Sequence, residues 1–103
     1  MADRPLEIVL SPEADLDIAN AYGYYATNSV DLAERFLDDL EFSFERISQL
    51  WNTHQVRYKN VKCRPVGAFP YLVHYSVDTE KMEALVHGIY HQKSDTPLNS
   101  RGA

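Results

Sequence analysis

The residues whose types suit chemistry gather in the second half of the chain. Arg57, Lys59, Lys62 and Arg64 set four cations within eight positions, with Cys63 among them, and His74, His87 and His91 follow. His87 and His91 are four apart, which on a helix would present both to one metal ion. On a strand the same spacing separates them by about 13 Å, too far for one ion. His74 lies across from His87 only if the turn register allows it, and two histidines without a third ligand make a poor site. They read as structural histidines, and neither a metal nor any other cofactor is expected. Cys63 is the only cysteine, so no disulfide framework exists within one chain and a reducing cytoplasm is the expected compartment. In a β-like segment it reads as core packing rather than as a nucleophile. Strand alternation would place Lys62 and Arg64 on one face, where they serve either a partner or a solvated strand edge.

Charge and length bound what these groups can do. The 103 residues make one domain, expected to span 1–103 with a loosely ordered polar tail from about 94. An apolar fraction of 45% is ordinary for a folded chain. Net charge is −5, but residues 1–53 hold 3 basic against 11 acidic side chains, while residues 54–93 hold 6 against 3. The acidic half suits helices with a solvated face. The basic half hints at a partner face. A global −5 argues against tight non-specific binding to nucleic acid, which depends on neutralising phosphates. The apolar runs are only a few residues long, so no membrane span is expected. Met1-Ala2-Asp3-Arg4-Pro5-Leu6-Glu7 lacks a basic segment backed by an apolar one, so no secretion signal is expected.

The elements that must position these residues follow from periodicity. Leu6 to Leu10 reads as a first strand. Ser11-Pro12-Glu13 signals a helix start, with Ser11 as the cap and Pro12 at the first position, where a missing N–H costs nothing. Ala14, Ile18, Ala21, Tyr22 and Tyr25 then make one helical face, with Asp15, Asp17 and Asn20 away from it. Thr27-Asn28-Ser29 breaks the pattern, and Asn28 or Ser29 caps a second helix. Its stripe of Ala33, Phe36, Leu37, Leu40, Phe44, Ile47 and Trp51 is the clearest period in the chain. The short break between the helices favours an antiparallel hairpin. After Trp51 the period becomes 2. Val56 to Val66 reads as a strand, with Pro65 suited to an edge or an end. Gly67 to Pro70 reads as a turn. Tyr71, Val73, Tyr75 and Val77 alternate along the next strand, the two tyrosines facing either the helices or a second copy. Asp78 to Lys81 is a polar turn, and Glu83 to His91 the last strand. The expected fold class is α+β, in the order β-α-α-β-β-β, with the hairpin on one face of a mostly antiparallel sheet.

Five stretches in this order resemble toxins of the RelE/ParE family, closer to ParE than to RelE. They are Ser11-Pro12-Glu13-Ala14-Asp15-Leu16-Asp17-Ile18, the Tyr24-Tyr25 pair, Ala33-Glu34-Arg35-Phe36-Leu37, Phe69-Pro70-Tyr71-Leu72-Val73-His74-Tyr75-Ser76-Val77-Asp78, and Val86-His87-Gly88-Ile89-Tyr90-His91-Gln92-Lys93. The likeness runs from about Leu6 to Asp95. It implies the toxin of a type II toxin–antitoxin (plasmid stabilisation) module. It also implies a cognate antitoxin whose C-terminal segment orders on the toxin, against an exposed sheet face or a groove beside the helices.

Two activities are implied by the family: inhibition of DNA gyrase by ParE-like members, and ribosome-dependent cleavage of mRNA by RelE-like ones. Cleavage needs a base for the 2′-OH, an acid for the leaving oxygen and cations for the transition state. Arg64 and His91 are the catalytic candidates on that reading. Binding candidates on either reading are Arg57, Lys59, Lys62, Arg64, Tyr71, Tyr75, Tyr90, His91 and Lys93. The sequence departs from the nucleolytic pattern: Gln92 follows His91 where a tyrosine often stands, Leu72 and Ser76 stand where arginines are frequent, and Ser94 follows Lys93 where an arginine is expected. The reading is therefore a gyrase inhibitor and not a catalyst. The alternatives are a ribonuclease that engages the ribosome, or a relative that binds an antitoxin and poisons nothing.

Overall fold

The computed structural model describes residues 4–51, 56–58 and 60–92, the stretch 56–58 as backbone alone. Lys59, Lys93, the Arg57 side chain and the tail from 94 lie outside the described residues. The chain runs β1 (Glu7–Leu10), α1 (Pro12–Ala26), α2 (Val30–Leu50), β2 (Val56–Tyr58), β3 (Val61–Val66), β4 (Phe69–Asp78) and β5 (Glu83–His91). The strands form one sheet in the order β1-β5-β4-β3-β2. β1 pairs parallel to β5 and every other pair is antiparallel.

Both helix starts follow from their caps. Ser11 Oγ accepts the Ala14 N–H at 3.0 Å, with Pro12 at the first helical position. Ser29, rather than Asn28, caps α2, its Oγ accepting the Leu32 N–H at 3.1 Å. The α2 stripe is buried as its period requires: Ala33, Phe36, Leu40 and Ile47 are closed off, with Leu37, Phe44 and Trp51 partly so. Ser43 is also buried, an apolar-face position held by a polar residue. Its hydroxyl donates to the Pro65 carbonyl at 2.8 Å, which ties α2 to β3 and satisfies the group.

The single strand expected over 56–66 is two. The chain turns back at Asn60, so β2 and β3 pair antiparallel with Val56 opposite Lys62. Asn tolerates turn conformations and supplies its own turn hydrogen bonds. The sheet accordingly has five strands. Pro65 sits where the β3–β4 register shifts, beyond the reach of short β2, so its missing N–H breaks no ladder. Phe69 and Pro70 already belong to β4, which leaves the turn to Gly67-Ala68. Gly67 has φ +53, and a Cβ there would meet the Asp39 carboxylate.

A second irregularity lies in β5. His74 pairs with Gly88 while Tyr75 pairs with Val86, so His87 is the extra residue of a bulge. Its Nε2 shares a 2.8 Å hydrogen bond with Ser76 Oγ. The two tyrosines left open between helices and a second copy face the helices. Tyr75 is fully buried in the core, and Tyr71 packs on Phe36 and Tyr25.

Candidate functional site

β5 outlasts its neighbour, and this creates the first feature of the site. β1 stops at Leu10 opposite Val86, so the second half of β5 has no strand on that side. α1 closes the gap with side chains. Ser11 Oγ donates to the His87 carbonyl at 3.0 Å, and Asp17 Oδ2 accepts the Ile89 N–H at 2.9 Å. Asp17, expected to lie away from the apolar face of its helix, is the group that satisfies an open strand edge. Burial raises its pKa above the ordinary value, and the Glu13 charge one helical turn back adds to this. The Ile89 hydrogen bond pulls the other way, less strongly.

Asp17→Ala leaves the Ile89 N–H without an acceptor and is expected to cost about 1–3 kcal/mol. Asp17→Asn keeps an acceptor and removes a charge that burial disfavours, so it should match or exceed the native stability at pH 7. A raised folded-state pKa means that this group's contribution is fully present below its unfolded value and is lost as pH rises through the folded one. The advantage of the asparagine variant should therefore vanish as pH is lowered toward 4. Urea unfolding across that range reads this, and an asparagine variant as unstable as the alanine one would show the account to be wrong.

Past Ile89 the sequence-predicted residues Tyr71, Tyr90 and His91 come together. Tyr71 and His91 pair edge to face at 5.2 Å between ring centres. Tyr25 packs on Phe36, Phe69 and Tyr71, and its hydroxyl donates to that of Tyr71. On the other sheet face Tyr90 lies across Gly88, edge to face with buried His74 at 4.7 Å. Burial raises the phenol pKa of Tyr25, Tyr71 and Tyr90. Between α1 and the end of β5 lies a cleft of about 330 Å³ lined by Asp17, Asn20, Tyr24, Tyr71, Tyr90 and His91. It continues through Tyr24, Tyr71 and His91 into a second hollow against Pro70 and Tyr25.

The two candidate cations whose side chains are described, Lys62 and Arg64, are elsewhere. Lys62 and Arg64 share a face, as alternation requires, and it is the face of Tyr75 and Val73 toward the helices. Lys62 Nζ donates to the Trp51 carbonyl at 2.8 Å, a cation set on the carbonyl end of α2 where the helix dipole favours it. Burial lowers its pKa. Arg64 is half-buried with its Nε enclosed, beside the Tyr75 phenol. Arg64 stands opposite Val73, which stands opposite Ile89, two residues short of His91. Strand geometry therefore parts Arg64 and His91 by roughly 12 Å at Cα. Among the described residues no three His, Cys, Asp or Glu side chains group as a metal ion requires.

The second feature is a groove of about 670 Å³ between α2 and edge strand β1, lined by Ile8, Asp38, Glu41, Phe42, Glu45 and Ser48, among others. Ser48 closes the start of the β1 edge, accepting the Leu6 N–H through its carbonyl at 3.0 Å and donating its hydroxyl to the Leu6 carbonyl at 2.6 Å. Alternation turns the backbone of Ile8 outward next. Phe42 is 54% exposed, under the Arg46 guanidinium at 5.7 Å. Phe42 and Tyr24 were missed as site residues. Their signal was available: each is an aromatic off the apolar stripe of its helix.

A helical hairpin thus covers one face of a mixed sheet, with an open groove at β1 and an aromatic cleft at the end of β5. The chain belongs to the ParE toxin family of type II toxin–antitoxin (parDE) systems, whose family model matches residues 8–96. It is similar in structure to the chromosomal ParDE system of P. aeruginosa, with a TM-score of 0.72 at 15% identity over 85% of this chain and 97% of that one. A second likeness is to the RelBE2 toxin–antitoxin complex of Mycobacterium tuberculosis, with a TM-score of 0.59 at 14% identity over 87% and 94% of the two chains. No curated protein matches the chain in sequence. No described helix is long and apolar enough to cross a membrane.

Proposed function

We propose that the protein is a ParE-like toxin of the cytoplasm that inhibits DNA gyrase by protein–protein contact and is neutralised by a cognate antitoxin. The observation that carries the choice of target is the dispersal of the described candidates Lys62, Arg64 and His91. RNA cleavage needs an acid, a base and cations converging on one phosphate. Here Lys62 is spent on the end of α2, Arg64 is enclosed against Tyr75, and His91 lies two strands away among tyrosines. The antitoxin's place is the groove beside α2. Its apolar floor of Ile8 and Phe42 and its rim of Asp38, Glu41 and Glu45 suit an extended segment carrying lysine or arginine between apolar residues. The likeness to the P. aeruginosa ParDE system supports the same reading.

The test is a gyrase supercoiling assay with purified protein. Inhibition, or trapping of cleaved DNA, relieved by the antitoxin is the expected result. Full supercoiling at stoichiometric excess would count decisively against a gyrase target. Codon-linked mRNA cuts in induced cells, lost in His91→Ala, would establish the ribosome-dependent ribonuclease instead. Normal growth on induction, with antitoxin binding retained, would identify a relative that is not toxic.

A further inference from the structure

We infer that the cleft between α1 and the end of β5 receives a single arginine side chain carried by a partner protein. That the partner is the antitoxin rests on the reading above; the preference of the cleft for a guanidinium does not.

The acceptors come first. Asp17 spends Oδ2 on the Ile89 N–H, and its other oxygen accepts nothing from a described residue. In an antiparallel pair the N–H and carbonyl of one residue point to the same side. The Ile89 carbonyl therefore points with its N–H toward α1, past the end of β1. Asn20 adds an amide side chain to the same lining. A partly enclosed carboxylate and an open carbonyl lie side by side, and both require donors.

The walls come second. Tyr24, Tyr71 and Tyr90 border the cleft, and Tyr24 is 66% exposed, too open for a core residue. Ring faces attract cations, and attract a flat guanidinium by stacking as well. Among the described residues no lysine or arginine lines the cleft. Burial and the Glu13 charge both disfavour the Asp17 carboxylate as it stands, and Asp17 and Glu13 push the Tyr90 phenol up in turn. A cation bound here would relieve each of these.

Other occupants fit less well. A phosphate or nucleotide meets the Asp17 carboxylate, with the Glu13 charge one helical turn back, and no cation among the described residues. An apolar side chain would cover the second Asp17 oxygen and the Ile89 carbonyl without pairing them, which costs about 1–3 kcal/mol per group. Lysine offers one compact charge, where arginine offers five donors in a plane that serve two acceptors while the plane lies on a ring. The volume of about 330 Å³ is at the small end of ligand sites and has room for one long side chain.

The test needs neither antitoxin nor gyrase, so its failure is separate from failure of the functional reading. Isotope-labelled protein is titrated with Nα-acetylarginine amide, and with the lysine and citrulline amides in parallel, while backbone amide resonances are followed. Citrulline keeps the shape of arginine and removes its charge. The expected result is a saturable shift of the Ile89 amide with the arginine compound, with Kd on the order of 1–10 mM. The lysine compound should bind several-fold more weakly and citrulline should not saturate. Asp17→Asn, which keeps the Ile89 acceptor, and exposed Tyr24→Ala should each weaken arginine several-fold, while Leu85→Ala on the far sheet face leaves it unchanged. The inference is overturned if citrulline or lysine equals arginine, if both cleft variants bind as the native protein does, or if no cleft residue shifts.

Discussion

Replacing Phe36 by alanine is expected to lower the unfolding free energy by about 3–5 kcal/mol, the usual cost of truncating a buried phenylalanine. Phe36 is fully buried, and its ring centre lies 5.6 Å from Tyr25, 5.4 Å from Phe69 and 5.5 Å from Tyr71. Truncation opens a cavity where α2 meets β4 and removes three ring pairs, each worth about 0.5–1.5 kcal/mol beyond burial. A domain of this size holds only about 5–15 kcal/mol in total. The loss should appear as a drop in Tm of about 12 °C or more. Phe36→Leu should cost clearly less, because it fills most of the space. A loss under about 1.5 kcal/mol on alanine substitution would mean that the site collapses around the gap and that the aromatic cluster is not a rigid unit. The effect reaches the cleft as well. Tyr71 is held between Phe36 on one side and His91 on the other, so loosening the first frees a wall of the second.

The helical half of this fold was readable because helix signals are local. The Ser11-Pro12 start, the Ser29 cap and the stripe from Ala33 to Trp51 depend on neighbours within a few turns, and the structure keeps all of them. The strand half was read less well because pairing is not local. Val56 and Tyr58 occupy even positions, while Val61 and Cys63 occupy odd ones. That change of parity marks the turn at Asn60, but a continuous strand with one slip has the same pattern. The bulge at His87 left no mark at all, since only the partner register reveals an extra residue.

The site divides along the same line. Tyr71, Tyr90 and His91 stand among the candidates that accompany the family resemblance, and they share the cleft. Periodicity puts Asp17 only off the apolar stripe of its helix; its partner, Ile89, lies 72 positions away and leaves no local signal. Lys62 and Arg64 were placed correctly on one face, but alternation does not say which face of the sheet the helices will cover. Only that choice turns Lys62 from a partner-binding cation into the group that caps α2. The acidic front half was also ambiguous in sequence. In the fold, Asp38, Glu41 and Glu45 gather along one groove, and Asp17 lines the cleft with Glu13 one helical turn back, so acidic charge borders both openings.

Alkaline unfolding is the other large effect expected of this chain. Tyr75 is fully buried, and burial raises its pKa far above the ordinary 10. The Arg64 guanidinium beside it draws the value back only in part, and Cys63 raises it further. The sign is fixed by linkage. A phenol whose folded-state pKa is raised contributes stability that is fully present below its unfolded value and is lost as pH rises toward the folded one. From pH 10 upward the unfolded chain releases the Tyr75 proton and the folded chain does not. Each further pH unit therefore removes about 1.4 kcal/mol through this residue alone. Tyr25, Tyr71 and Tyr90 are shifted the same way, and being only partly buried they add smaller amounts. Unfolding should thus be steep above pH 10 and should coincide with a rise in tyrosinate absorbance. Tyr75→Phe removes the proton while keeping the ring, so it should flatten the pH dependence above 10 by about 1.4 kcal/mol per unit. A variant that keeps the native slope would show that the core phenol is not what limits the fold at high pH. Tyr71 and Tyr90, which wall the cleft, would then have to carry the effect, and single phenylalanine substitutions there would separate their shares.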